Sequence, residues 1–481
     1  MKKKVHFKII LVLQLFFCSI AISQDISFKS DWECQNDRVW IGQDYWANPL
    51  KDWRIHNGRL ECVNNQGDRN LQLITYQIKQ GGTIFHSSVT FGNIDLQKSK
   101  AGFKIGLKGI KNEYRFNSFY GKGLKLGFDQ VKENLFCLNE ETGEKISKKV
   151  LIGKPMTSFI LELSVMPNSN GYTTLLILKS KKDKQILGTL ELKELRNEDF
   201  SGNLALFADS NYWFESWSLG GDKIQHVPKN AWGPVLWSQY TLSKKNLKLL
   251  VIMAPIGKED AQYVSFQINE GGIWKTMKTE KIESLSKTAL FNFKEWKDDK
   301  DFDFRLEYQL SEEKFYWNGV IRKDPIDKTE VSVAGFTGHK SYNFPNLELV
   351  ANVEKHDPDM LFFSGDQIYE DNGGYGVVRK GIQEATLSYL SKYYMFGWSF
   401  GNLMKDRPTV ILPDDHDVFY GNIWGDSGAG YFMPTTWVNM VQISNSNSLI
   451  VLYPKEECLL LLLYQVSIQV KTDNSAYCFW S

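Results

Sequence analysis

Along most of the chain, apolar and polar residues alternate in short runs, the period-2 pattern of half-buried strands. Between residues 24 and 225 the runs Leu71–Tyr76, Thr83–Thr90, Gly102–Leu107 and Thr173–Leu178 are separated by Gly, Asn and Asp, with no long helical periodicity. Turn signals at this spacing predict a β-sandwich. Residues 228–325 form a second β block. There Phe302, Phe304, Leu306 and Tyr308 alternate with Asp303, Arg305, Glu307 and Gln309. A small immunoglobulin-like sandwich fits, with Gly319–Pro325 as its exit linker. From residue 326 the rhythm changes. Val331–Ala334, Met360–Phe363 and Thr409–Leu412 are short continuous apolar strands. Helical spacing separates them, over Asn346–Lys355 and again through Ile382, Ala385, Tyr389, Tyr393 and Phe396. This β-α-β-α-β order predicts a parallel sheet covered on both faces.

The two ends of the chain read differently. Lys2, Lys3, Lys4 and Lys8 precede an apolar run from Ile9 to Ile22, and Ala21-Ile22-Ser23 is a small-x-small cleavage site. Residues 1–23 are therefore expected to be a signal peptide, shorter than the roughly 20 apolar residues that span a bilayer. The expected location is secreted or periplasmic, with no transmembrane segment after cleavage. Residues 442–481 look atypical: Ile-Ser-Asn-Ser-Asn-Ser gives way to Cys458 and the run Leu459–Leu463. A frameshifted tail and a short natural variant both fit.

Composition narrows the function. The 481 residues carry 57 Lys+Arg against 56 Asp+Glu, a formal net charge of +1. That balance gives no nucleic-acid-binding patch and no pull toward an anionic membrane. With 7 His and 6 Cys, a metal site must lean on carboxylates. Spacing gives no zinc pattern, and a Cys34–Cys62 disulfide is compatible with an exported chain but not fixed by sequence.

The candidate chemistry sits at three strand ends, where ligands bind in parallel α/β sheets. His339 follows the first strand, Asp366, Tyr369 and Glu370 the second, and Asp414, Asp415, His416 and Asp417 the third. Like charges crowded beside buried strands are costly unless cations neutralise them. Two hard or borderline metal ions would do so, and such a pair can clamp a phosphoryl group and activate water. Asp414-Asp415 as a helix cap and His339 as a hydrogen-bonded loop residue are the plainer readings. The combination of the two acidic motifs favours the metal site. Glu370, Asp371 and Asp417 are read as solvated or as supporting the ligands.

FFSGDQIYE and ILPDDHDVFYGNIWGD resemble the PhoD-like (alkaline phosphatase D type) branch of the calcineurin-like metallophosphoesterases, over about residues 228–441. The resemblance implies a partial α/β metallophosphoesterase domain at 326–441. It implies metal ligands Asp366, Tyr369, Asp415 and His339, with His416 as the catalytic, phosphate-contacting residue. It also implies two metal ions, iron with calcium, zinc or manganese, and a phosphate mono- or diester substrate. The pattern departs in places. Thr337-Gly338-His339 stands where the family has D-x-H, and His416 is the last histidine, so a later His and G-H-x-H do not occur. Activity of the chain as written is accordingly in question. Before the catalytic part, WANPLKDWRIHNGRLEC and GNLALFADSNYWFESW resemble concanavalin-like (laminin-G type) jelly rolls, which implies glycan partners for residues 24–225. The plain reading of the Trp residues there is that they fill the sandwich core. The expected protein is multidomain: a concanavalin-like β-sandwich, a small immunoglobulin-like β-sandwich and a partial α/β domain. It reads as an exported phosphoesterase, or alternatively as a secreted carbohydrate-binding protein with a vestigial phosphatase domain.

Overall fold

The computed structural model describes residues 26–418, apart from 96, 151 and 153–155. The expected signal peptide, residues 419–441 of the third domain and the tail 442–481 lie outside the described residues. The first module contains β1 (Ile26–Lys29), β2 (Tyr45–Asn48), β3 (Trp53–His56), β4 (Arg59–Cys62), β5 (Arg69–Ile78), β6 (Phe85–Asn93), β7 (Lys100–Lys108), β8 (Lys122–Asp129), β9 (Asn134–Asn139), β10 (Lys145–Lys149), β11 (Ser158–Asn168), β12 (Gly171–Ser180), β13 (Ile186–Leu195), β14 (Gly202–Ala208), β15 (Tyr212–Gly220) and β16 (Ile224–His226). Two short helices, α1 (Tyr114–Tyr120) and α2 (Asn197–Phe200), interrupt them. The strands form two eight-stranded antiparallel sheets. One runs β13-β12-β11-β6-β15-β4-β3 with β1 on β15, the other β10-β9-β8-β7-β14-β5-β16 with β2 on β5. Their inward side chains interdigitate as in any aligned sandwich. Trp32, Trp53 and Trp217 are fully buried between the sheets, so these indoles fill the core. Cys34, Cys62 and Cys137 are free thiols, Cys34 exposed and Cys62 sealed in the core, which rules out the Cys34–Cys62 pairing.

The second module has β17 (Val235–Ser243), β18 (Asn246–Met253), β19 (Tyr263–Glu270), β20 (Ile273–Lys281), β21 (Thr288–Phe293), β22 (Phe302–Leu310) and β23 (Glu313–Ile321). Sheets β17-β18-β21 and β20-β19-β22-β23 pack face to face. In β22 the expected alternation holds: Phe302, Phe304, Leu306 and Tyr308 are buried and the residues between them are not. The expected linker is different. Gly319–Ile321 still belongs to β23, and the Val320 N–H donates to the Lys405 carbonyl (3.2 Å) and to Asp406 Oδ1 (3.1 Å).

The third module is β24 (Val333–Phe336), α3 (Leu347–His356), β25 (Met360–Phe363), α4 (Ile382–Met404) and β26 (Thr409–Ile411). The strands pair in parallel, in the order β24-β25-β26. Coverage differs from the expectation of two sealed faces. β24 is an edge strand with Val333 46% exposed, and no residue of α3 is fully buried. Burial concentrates instead on α4, which is packed on most sides.

The second and third modules share one apolar core, which Trp40, Trp46, Leu50 and Ile74 of the first module join, while the first sandwich keeps its own core between its sheets. Trp237 of β17 lies against Gly397 and Gly401 of α4, where an added Cβ would come within 2.2 and 2.8 Å of the Trp237 side chain. Trp398 stacks on Trp232 (5.2 Å between centroids) and meets Trp46 of the first sandwich at a tilt of 36° (5.0 Å). Buried Arg38 reaches Asp260 of the second module at 3.3 Å. Among the described residues no helix is long and apolar enough to cross a membrane.

Candidate metal centre

The parallel register brings the carboxyl ends of β24, β25 and β26 to one edge, and every sequence-selected residue follows one of them. The turn after β25 is tight. Gly365 sits at φ +119, and a Cβ there would lie 2.5 Å from the Asp414 Cβ. Asp366 itself holds a left-handed φ of 58°, a conformation that non-glycine residues adopt at a cost and that concentrates at functional sites.

Asp417 ties the turns together. Its Oδ2 accepts the Asp366 N–H (2.7 Å) and the Asp414 N–H (2.9 Å), and its Oδ1 accepts the Ile368 N–H (3.1 Å). Burial pushes this carboxyl up to about 7, against the three N–H donors that favour its charged form. It is 5% exposed, so of its two expected readings the supporting role describes it and the solvated one does not.

One ligand atom each from Asp366, Asp415 and His416 lies within 4.8 Å of the others. The Tyr369 hydroxyl donates to Asp366 Oδ2 (2.9 Å). Its phenol is held protonated by burial and by that carboxylate. Its ring lies 4.4 Å from the His416 ring. Asp366 Oδ1 is buried without a hydrogen-bond partner. Burial raises the Asp366 carboxyl, and Asp414 and Asp415 add to that, against the Tyr369 hydrogen bond and the nearby His416. His416 Nδ1 pairs with Glu370 Oε2 at 2.7 Å. Burial works to lower the His416 pKa, but the hydrogen bond and charge of Glu370, with Asp366 and Asp415, hold it above the ordinary value.

His339 stands apart from the three-residue group. Its N–H donates to the Asp366 carbonyl (2.8 Å), but its ring packs against Phe336, Phe363 and Phe400. Burial depresses it to about 4, and Nε2 has no hydrogen-bond partner. A neutral imidazole with an open nitrogen suits a ligand, yet as placed it does not join the other three.

Three residues gain roles that sequence reading left open or missed. Glu370 orients His416. Asp371 stays at the surface, paired with Lys340 (3.2 Å). Lys392 was missed: it is buried in α4 and donates to the Asn372 carbonyl (2.8 Å), while the Asn372 N–H donates to the Tyr369 carbonyl (3.1 Å). Desolvation lowers this amine to about 8. The signal was a charge on the apolar stripe Ala385, Tyr389, Lys392, Phe396. The segment Gly373–Gly376 is pinned to the first sandwich. The Tyr375 hydroxyl donates to the Asp68 carbonyl (3.0 Å) and accepts from Asn70 Nδ2 (3.1 Å).

A donor set of two carboxylates and a phenol, with one carboxylate oxygen buried and unpartnered, fits hard or borderline cations. Asp366 and Asp415 would hold one, with Tyr369 adjacent and His416 beside them.

No family model matches the chain, and no curated protein matches it. Solved structures similar to it in part are lectins and carbohydrate-binding modules. Lectin II from Ulex europaeus is 10% identical, covers 41% of this chain and 98% of the lectin, and has a TM-score of 0.29. The carbohydrate-binding module CBM66 from Bacillus subtilis is 9% identical over 37% of this chain and 97% of the module, with a TM-score of 0.25. The Ca2+-bound exoplasmic/lumenal domain of VIP36 is 8% identical over 38% of this chain and 85% of that domain, at 0.26.

Proposed function

We propose that the chain is an exported phosphoesterase of the PhoD-like metallophosphoesterase type, with a partial metal centre at the carboxyl edge of the parallel sheet. The observation that carries this reading is the convergence of Asp366, Asp415 and His416 from two separate strand ends to within 4.8 Å. Cations bound there would supply Lewis-acid activation of a phosphate ester and of water. The chain's own residues then have distinct tasks. Asp366 and Asp415 supply negative oxygen ligands. Asp417 fixes the spacing between their two turns through backbone N–H groups. His416, oriented by its pair with Glu370, would stand near the phosphate oxygens, the position of a general acid.

Metal content and hydrolysis of a generic phosphodiester by the full chain and by Asp366→Asn test the reading. Stoichiometric iron, zinc, calcium or manganese in the wild type and its loss in the variant are expected. Equal metal content in both would refute it. With iron bound, a visible tyrosinate band that disappears in Tyr369→Phe supports the ligand role of that residue.

A second reading, glycan binding by the first sandwich, rests on the outer face of its second sheet. Gln72, Lys104 and Lys125 share that face by register and form its floor, only 3%, 6% and 8% exposed. Lys104 pairs with Glu140 (2.9 Å) and Lys125 with Asp209 (3.0 Å). Paired charges and amides of this kind suit sugar hydroxyls. Retention on a glycan column unaffected by Asp366→Ala would favour it.

A further inference from the structure

The four-stranded sheet of the second module turns one face away from the core. Val264, Phe266, Ile268, Phe304 and Leu306 are buried on the inner side. Strand alternation therefore puts Gln267, Arg305 and Tyr316 on the outer side. Register confirms it: Arg305 lies opposite Gln267 and Asn318, and Tyr316 lies opposite Glu307. Trp274 pairs with Asn269 one step along, which sets Trp274, Arg305 and Tyr316 on a diagonal across the sheet.

The three side chains form a stack. The Arg305 guanidinium carbon is 4.5 Å from the Trp274 ring centroid and 4.3 Å from that of Tyr316. Arg305 Nε donates to Gln267 Oε1 at 2.6 Å. Among the described residues its terminal amino groups make no hydrogen bond or ion pair. Two rings and one amide thus fix the plane of a guanidinium whose outer fork is open, a geometry that matches a carboxylate bidentately. Neighbouring Glu307 is occupied by Lys314 (3.1 Å). Asp303, also on this face, keeps the surface from being a general anion attractor, so selectivity falls to the one fork. Tyr316, 45% exposed, offers apolar ring surface beside it, and Tyr263, 56% exposed, offers more on the same face, four residues along β19 from Gln267.

We propose that this face binds an acidic polysaccharide, with a uronate carboxylate on the Arg305 fork and adjacent sugar rings against the exposed tyrosines. Aromatic rings, amides and hydroxyls suit sugar rings and their hydroxyl groups. The same sheet is guarded against an added peptide strand. Its edge strand β20 carries Lys275, Lys278 and Lys281, and a bulge interrupts its pairing at Phe266/Gln267. The face lies in the second module, separate from the residues of the candidate metal centre.

Retention of the full chain in gels containing polygalacturonate, its methyl ester, dextran or polyglutamate is the test. The free acid polymer should slow the wild type and Asp366→Asn equally, and the methyl ester and dextran should not. Arg305→Lys keeps the charge but loses the fork, and should weaken retention about tenfold. Trp274→Ala should act in the same direction. No retention on polygalacturonate, unchanged retention of Arg305→Lys, or equal retention on polyglutamate overturns the proposal. If the variants unfold on heating at much lower temperature, the wild type alone decides: equal retention on the acid and on its methyl ester overturns it.

Discussion

Asp260→Ala isolates the buried ion pair that joins the first two modules. The side chains of Arg38 and Asp260 are 2% and 0% exposed, and Arg38 Nη1 reaches Asp260 Oδ1 at 3.3 Å. Asp260 also accepts from Asn36 Nδ2 (2.9 Å) and from the Gly257 N–H (2.7 Å). Truncation leaves a buried guanidinium without its counter-ion and a buried N–H without an acceptor. Breaking one partner of such a pair costs about 3–5 kcal/mol. Arg38 keeps the Trp40 carbonyl (2.9 Å) and Gln35 Oε1 (2.5 Å), so the lower end, about 3 kcal/mol, applies. Arg38→Met strands the carboxylate instead and should cost a similar amount. The double variant removes both charges, and its loss should fall short of the sum by about 2 kcal/mol. Urea unfolding of the four proteins gives this cycle, with one transition expected for both modules. Additivity within about 0.5 kcal/mol, the usual result for independent sites, would refute the coupling. So would separate transitions for the two sandwiches.

Asp417→Ala frees the turns carrying Asp366 and Asp414, and Mn2+ affinity by calorimetry should drop by about 10–100-fold, as for other supports of metal ligands. Glu370→Gln removes the partner that holds His416 above its ordinary pKa, so the His416 ring titration followed by NMR should move to lower pH. Lys392 has a folded pKa lowered from 10.5 to about 8, so the folded state binds its proton less readily than the unfolded chain. Its neutral form favours folding above pH 10.5, and that advantage is lost as pH falls toward 8, by about 3 kcal/mol. Lys392→Met should remove that slope from the stability profile between pH 8 and 10.5.

Where burial is one-sided and complete, the sequence pattern placed elements well. Met360–Phe363 is a strand with the expected bounds because four apolar residues run unbroken before Ser-Gly. The first strand of the parallel sheet shifted from Val331–Ala334 to Val333–Phe336. It lies at an edge with Val333 and Gly335 exposed, and of its four residues only Phe336 is buried, so little core fixes its register. Asp366, Asp415 and His416 were legible because parallel topology carries successive strand ends to one edge. His339 was legible only as a residue at that edge. Its ring turns toward Phe400, a contact made by a helix distant in sequence. The joints between modules were hidden for the same reason. No local signal marks Trp237 as the partner of Gly397, and the supposed linker at Gly319 is strand.

The fit of Trp237 into the glycine notch of α4 bears on how this architecture can be altered. A recombinant chimera that exchanged the helix without β17, or β17 without the helix, would bring a side chain into space the indole already fills, or leave a hollow the size of a tryptophan. The workable cut points for domain grafting therefore lie outside both elements, and the second sandwich travels with the parallel sheet as one heritable block.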